Sequence, residues 1–195
     1  MIRALLLLPL GACSYSLQDD IHGLRAEVVE IEKQIPPDAP LWISDGPNAF
    51  SSFLEDGSPR VPEFLYLHLV RKLHEMDPRA PESMSQGGFD LEDARREPGK
   101  YRGRFWKIGG LIGELHAEEI SDPKIPFKLV HAGVFFDGGL RPFLFHVVQK
   151  PDVLVLREDT VETTALFLKH VEYVARSGRK VHAPLFIGRS LRRTL

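Results

Sequence analysis

The pattern of apolar and polar positions divides the chain in two. Leu17, Ile21, Leu24, Val28, Ile31 and Ile35 recur at alternating spacings of four and three. This is a heptad stripe, with Ile21, Val28 and Ile35 at one core position and Leu17, Leu24 and Ile31 at the other. Asp19, Asp20, Arg25, Glu30, Glu32 and Lys33 fill the remaining faces, and Pro36-Pro37 ends the run, because proline lacks an N–H and clashes with the preceding turn. The stripe predicts an amphipathic helix within residues 13–35. About two and a half heptads fall short of the three to four that argue for a coiled coil. The helix therefore suits either weak self-association through residues 17–35 or packing on its own domain. A second helix is predicted from Pro62, at its first turn, to the Met76-Asp77-Pro78 stop. Phe64, Leu65, Leu67, Leu69, Val70 and Leu73 cover most of its circumference, so it is expected to dock. Between the helices, Pro36-Pro37-Asp38-Ala39-Pro40 and Asp45-Gly46-Pro47-Asn48 signal turns and extended chain. Trp42, Phe50, Phe53 and Leu54 predict that part of this arm lies on the domain surface. Residues 79–88 read as a loop.

After this the period changes from that of helices to that of strands. Tyr101 to Lys107 alternates, and Ile108-Gly109-Gly110-Leu111-Ile112-Gly113 puts glycines inside one long strand, where they mark a bulge or sharp bend. Further strands are predicted over 127–136, 142–148, 161–174 and 180–187. Asp137-Gly138-Gly139 and Arg176-Ser177-Gly178-Arg179 are expected to be hairpin turns. Five strands in about 95 residues, the first long and bent, predict a small closed β-barrel. The resulting division is residues 1–12 as an export signal, 13–35 as the first helix, 36–88 as a proline-rich arm with one docked helix, and 89–195 as the β domain.

The signal rests on Met1-Ile2-Arg3, a run of apolar residues from Ala4 to Leu10, and Leu10-Gly11-Ala12-Cys13. One positive charge, a short apolar core and small residues before a cleavage point form the layout of an export signal. The apolar run is far shorter than the about 20 residues that span a bilayer. The four residues ending in Cys13 resemble the lipobox of bacterial lipoproteins, which implies cleavage before Cys13 and acylation of its thiol. Ser14 after the cysteine, by the sorting rule of Gram-negative lipoproteins, implies the periplasmic face of the outer membrane in a Gram-negative cell.

The β half resembles the OB-fold, five strands coiled into a Greek-key barrel. The segment from Leu91 to Leu195 is similar to domains of secreted planctomycete proteins. The shared features are Tyr101-Arg102-Gly103, Phe167-Leu168-Lys169 with Tyr173 after it, and Ala183-Pro184-Leu185. The expected fold is thus mainly β with a helical N-terminal extension, an OB-like barrel preceded by two helices. The resemblance implies a fold and an envelope setting, and function does not follow from the fold.

Composition adds constraints. A net charge of -2 offers no global field for nucleic acid or an anionic membrane. Cys13 is the only cysteine, so no disulfide is available, and its acylation would remove the only thiol from any proposed chemistry. No phosphate loop, GxGxxG, HExxH or GxSxG motif occurs. His116, His131, His146 and His182 fall on different predicted strands, and three meeting at one mouth would suit zinc; their spacing does not require it, and no metal or cofactor is expected. Glu114 and His116 share a strand face as a candidate acid–base pair. Arg102, Arg104, Trp106, Arg179 and Lys180 are the candidate binding residues, since aromatics beside cations are what single-strand binding uses. The bland alternative is a basic edge that keeps a strand from pairing with other chains. The expectation is a membrane-anchored, non-enzymatic binding domain with an envelope partner. An OB protein that binds nucleic acid ranks second, and a histidine-dependent enzyme third.

Overall fold

The structure, a computed structural model, describes residues 39–44, 49–175 and 178–194. The export signal, Cys13 and the heptad helix lie outside the described residues.

An extended arm carries a 3-10 turn at Phe50–Phe53 and leads to helix α1, Glu63–Glu75. Pro62 caps its N-terminus in an extended conformation, as suits a residue with no N–H to lose at a helix start. At the other end the Arg189 guanidinium donates to the carbonyls of Leu73, His74 and Met76 at 2.8, 2.6 and 2.6 Å. A cation there satisfies orphan acceptors and complements the helix dipole. Phe64, Leu65, Leu69, Val70 and Leu73 are all buried. At roughly 2 kcal/mol for each large apolar side chain, their burial contributes up to about 10 kcal/mol to holding the helix down.

Residues 79–88, expected as a loop, form a short helix α2 (Ala80–Ser83) and a strand β1 (Ser85–Gly88). Two further short helices follow, α3 (Leu91–Arg96) and α4 (Pro98–Tyr101). Asp90 caps α3 by accepting the Asp93 N–H at 2.9 Å. The remaining strands are β2 (Phe105–Glu119), β3 (Leu129–Phe136), β4 (Pro142–Val147), β5 (Thr160–Val174), β6 (Lys180–Gly188) and β7 (Arg192–Thr194).

Among the described residues the seven strands form one mixed sheet, in the order β1-β2-β3-β4-β6-β5-β7, with an added β2–β5 pairing. That pairing closes β2, β3, β4, β6 and β5 into a ring. It is possible because β2 changes partner along its length: Phe105–Leu111 pairs with β5, and Leu111–Glu119 pairs with β3. The register slips between Ile112 and Glu114, at Gly113, where a bulge bends the strand. Within the ring β4 and β6 run parallel and the other neighbours antiparallel.

Alternation sorts each strand into two faces. Ile108, Ile112, Phe135, Phe143, Phe145, Val161, Phe167 and Phe186, drawn from all five ring strands, make one core inside the ring. Leu91, Ala94 and Tyr101 of α3 and α4 join it. A second core lies outside the ring, where Leu65, Leu69 and Leu73 of α1 cluster with Val130 of β3, Leu166 and Leu168 of β5, and Leu185 and Ile187 of β6. The arm is stitched to β5 as well. Gly57 bridges Val171, the Lys169 ammonium donates to the carbonyls of Glu55 and Arg60, and the His170 N–H donates to Asp56 at 2.8 Å.

One expected turn is built differently. At Asp137–Arg141 the left-handed residue is Leu140, at φ 58°, and not a glycine. The Asp137 carboxylate accepts from the N–H groups of Gly139 and Arg141 at 3.0 and 2.9 Å, and this side-chain closure holds the turn. In the β5–β6 connection Gly178 does take the positive φ, at 77°.

Candidate functional site

The outer core stops short of one strip of sheet. Beyond Phe105 and Leu166, the outward positions of β2, β5 and β7 run in three rows: Lys107 beside Thr164, then Gly109 beside Glu162 and Arg192, then Leu111 beside Thr160 and Thr194. Apart from Leu111, these rows floor a groove of about 450 Å³, with Glu82 of α2 at its side. A Cβ on Gly109 would lie 2.5 Å from the Val161 carbonyl oxygen, so the glycine permits the close backbone approach that flattens the floor. The Glu82 carboxylate spans the groove, with one oxygen 2.6 Å from the Arg192 guanidinium and the other 3.8 Å from the Lys107 ammonium. Hydroxyls line the rest: Thr160 and Thr194 meet at 2.5 Å, and Thr164 faces the same side. A smaller hollow of about 270 Å³ adjoins it, walled by Pro78, Pro81, Arg189 and Ser190. Arg192, Lys107 and Glu82 keep 58%, 63% and 37% of their side-chain surface exposed, so these ion pairs are worth about 0–1 kcal/mol at most and exchange readily for an incoming anion.

A second constellation lies beside α1. His116 of β2, Ala132 of β3 and His146 of β4 form one cross-strand row on the outer face. His146 Nδ1 shares a hydrogen bond with the Tyr66 hydroxyl at 2.8 Å, and the two rings meet edge to face. Burial pushes the Tyr66 phenol far above its ordinary range, and the Glu118 charge adds to this. Burial also pushes the His146 imidazole below its usual value, opposed by Glu118 and assisted by His116. At the exposed end of the row His116 Nε2 hydrogen-bonds the Glu118 carboxylate at 3.0 Å.

The other strand histidines do not join them. His131 pairs with Ala117 and Val147, which places it on the opposite face from His116 and His146. His182 of β6 lies 3.1 Å from Glu172. Among the described residues no three of His, Cys, Asp and Glu come together in a way that could hold a metal ion. Glu114 and His116 share a face, but the partner His116 takes is Glu118.

The five candidate binding residues occupy two separate places. Arg102 is tied down: its Nε donates to the Leu168 carbonyl at 2.7 Å and its guanidinium pairs with Asp56 at 2.6 Å. Trp106 donates to the Tyr101 carbonyl at 3.1 Å and stacks on the Tyr101 ring, with Phe89 at its edge. Arg102 keeps 11% of its side-chain surface exposed, and one face of the Trp106 ring is covered by Tyr101. Arg104 is exposed beside them. Arg179 and Lys180 lie at the β5–β6 turn, with Lys180 held by Glu172 at 2.8 Å. Phe105 registers with Leu166, and Lys180 with Val174. Eight residues of β5 therefore separate the two groups, about 26 Å at the rise of a strand.

No protein-family model, curated protein or solved structure matches the chain.

The sequence contains each groove residue, but nothing in its spacing assembles them. Glu82 falls in what reads as loop, and Lys107, Glu162 and Arg192 converge only through strand register. Gly109-Gly110 is the one local signal, because glycine inside a strand marks a close approach.

Proposed function

We propose that this chain is an envelope lipoprotein, anchored through acylated Cys13, whose domain is an OB-type barrel that binds a partner and performs no bond-making chemistry. The anchor rests on Leu10-Gly11-Ala12-Cys13. The barrel reading is supported by the closed ring, in which one long, bulged strand pairs with two others, as five strands must do to coil into a Greek-key barrel. The observation that carries the binding reading is the groove on β2, β5 and β7. It is open, lined with hydroxyls, and holds two cations, Lys107 and Arg192, in exchangeable pairs with Glu82, while Glu162 lies opposite Arg192 on its floor. That chemistry suits recognition of a polar, acidic group on an envelope component. It supplies no nucleophile aligned with a base.

Nucleic acid is the weaker reading for a physical reason. OB-folds take oligonucleotides on the face of their second and third strands. Those correspond to β3 and β4, and here Val130 and Ala132 on that outer face are buried, with Tyr66 of α1 seated on His146.

Two measurements test the proposal. Mass spectrometry of the native N-terminus should find a diacylglyceryl-modified Cys13, and Cys13→Ser should move the protein out of the membrane fraction. A photo-crosslinking side chain at Glu162, exposed on the groove floor, should capture an envelope component that the same group at exposed Lys124 does not. An unmodified Met1 terminus would overturn the anchor. Equal capture at both positions, or turnover of a substrate by purified mature protein without any captured partner, would overturn the binding reading.

A further inference from the structure

Histidines recur where the arm and α1 are fastened to the ring, and their geometry admits them in one charge state. His68 of α1 donates its Nε2–H to the Pro40 carbonyl of the arm at 3.0 Å. That bond fixes the tautomer and leaves Nδ1 unprotonated, buried and without a partner. The Phe50 ring closes over it edge to face. The charges facing His68 are Arg71, Lys72 and Glu75 of its own helix, two cations against one anion, while the arm contributes only the carbonyl and the ring. His170 of β5 repeats the arrangement. Its Nε2–H donates to the Ala94 carbonyl of α3 at 3.1 Å, and its Nδ1 is buried without a partner. Its own backbone is the arm's fastening point: the His170 N–H donates to Asp56 and its carbonyl accepts from Gly57 at 2.9 Å. Its ring, however, lies against α3 and Phe167 of the inner core, so it stays covered when the arm lifts. On the outer face the second histidine is His146, seated against Tyr66 of α1, with His116 and Glu118 of β2 nearby.

We propose that His68 and His146 form an acid-sensitive clasp, and that taking up protons loosens the arm and α1 from the outer face of the ring. A proton on His68 creates an N–H donor in a buried place with no acceptor, and adds a cation where cations already outnumber anions. Both effects oppose the closed state. Burial holds both imidazoles below their ordinary value, so they are neutral in the closed form. The sign follows: once the arm is free these groups bind protons near their ordinary value, so acid favours the open form. The ring has its own interior core, from all five ring strands with α3 and α4, and this remains when the outer cover lifts. The inference is independent of the anchor and of the groove.

The two tryptophans make the test direct, because Trp42 lies in the arm against Phe50 and Trp106 lies on the inner core against Tyr101. In Trp106→Phe protein, Trp42 emission should shift to the red as pH falls below the ordinary histidine value of about 6.5. In Trp42→Phe protein, Trp106 emission should stay constant over the same fall. A joint shift of both reporters would mean acid unfolding of the whole domain and would overturn the clasp, as would constancy of both to pH 4.5. Adding His68→Gln and His146→Gln to the Trp106→Phe background should move the Trp42 midpoint to lower pH and reduce the steepness of the transition by about two protons. An unchanged curve would exclude those two histidines. Should that variant not fold, the two single-tryptophan proteins with native histidines decide the question alone.

Discussion

Lys169 has no exposed surface, yet it carries an ammonium in the middle of β5. Its Nζ reaches the carbonyls of Glu55 and Arg60, so one side chain takes up two acceptors of an arm that has no strand partner for most of its length. Burial lowers its pKa from 10.5 to about 8, against the pull of Asp56. A neutral amine still has two N–H groups for the two carbonyls. In the unfolded chain the lysine keeps its proton to near its ordinary value, so between these two pH values the unfolded state binds more protons and stability rises with pH. Below pH 8 both states are charged and the slope vanishes. Lys169→Met removes this contribution and leaves the carbonyls unmatched. Urea unfolding of the native and variant proteins at pH 7.5, 8.5 and 9.5 should show the native protein gaining on the variant as pH rises; parallel dependences would refute the assignment. Gly103 makes a similar point without charge. It holds φ 74°, and a Cβ there would lie 2.3 Å from the Trp42 ring. Gly103→Ala should therefore cost about 2 kcal/mol or more, combining left-handed strain with a displaced indole, and the Trp42 emission should shift.

At the scale of elements, α1 depends on a residue far along the chain. Arg189 follows β6 and directs one nitrogen, Nη1, at three carbonyls at the C-terminus of α1. Charge-assisted hydrogen bonds of this kind contribute about 1.5–3 kcal/mol. Because a lysine ammonium also gathers its N–H groups on one nitrogen, Arg189→Lys should recover much of what Arg189→Ala loses, and denaturant midpoints rank the three proteins. Equal midpoints for the lysine variant and the native protein would show that charge alone suffices. The sequence announces α1 and the five ring strands because each buries a continuous stripe whose period survives in the residue order. Phe143, Phe145 and Val147 alternate, and Leu65, Leu69 and Leu73 recur by turns. It does not announce β1, whose Ser-Gln-Gly-Gly has no apolar residue, because that strand exists by pairing in parallel with β2. Nor does it announce α2 and α4, four residues each, which are too short to show a period. The turn at Leu140 was illegible for a related reason: the Asp137 carboxylate and not the glycine pair sets its shape. The groove was the least legible feature, because Gly109, Glu162 and Arg192 share a row, with Lys107 in the next, only after two strand registers are fixed.

The whole molecule divides the ring's surface among three environments, and that division decides what it can bind. The interior is filled by phenylalanines and stacked rings. The outer face of β3, β4 and β6 is occupied by α1 and the arm. The outer face of β2, β5 and β7 is left to the polar groove. A single-stranded oligonucleotide needs aromatic faces beside cations along one continuous track. Trp106 spends its face on Tyr101, Arg102 is engaged by Leu168 and Asp56, and Lys180 by Glu172. Titration of the native protein with oligonucleotides at neutral pH and low salt should therefore show no saturable binding. Glu82→Gln sharpens the prediction. It removes the carboxylate that pairs with Lys107 and Arg192 and leaves Glu162 as the remaining groove anion, so it should strengthen binding of a small polyanion such as an oligogalacturonate by several-fold, with little change in stability because the pairs it breaks are exposed. Adding Arg192→Ala should abolish that gain. If oligonucleotide and oligogalacturonate strengthened equally in Glu82→Gln protein, the groove would be reading charge alone. A gain confined to the carboxylated sugar would mean that the threonine rows, and not only the two cations, select what enters.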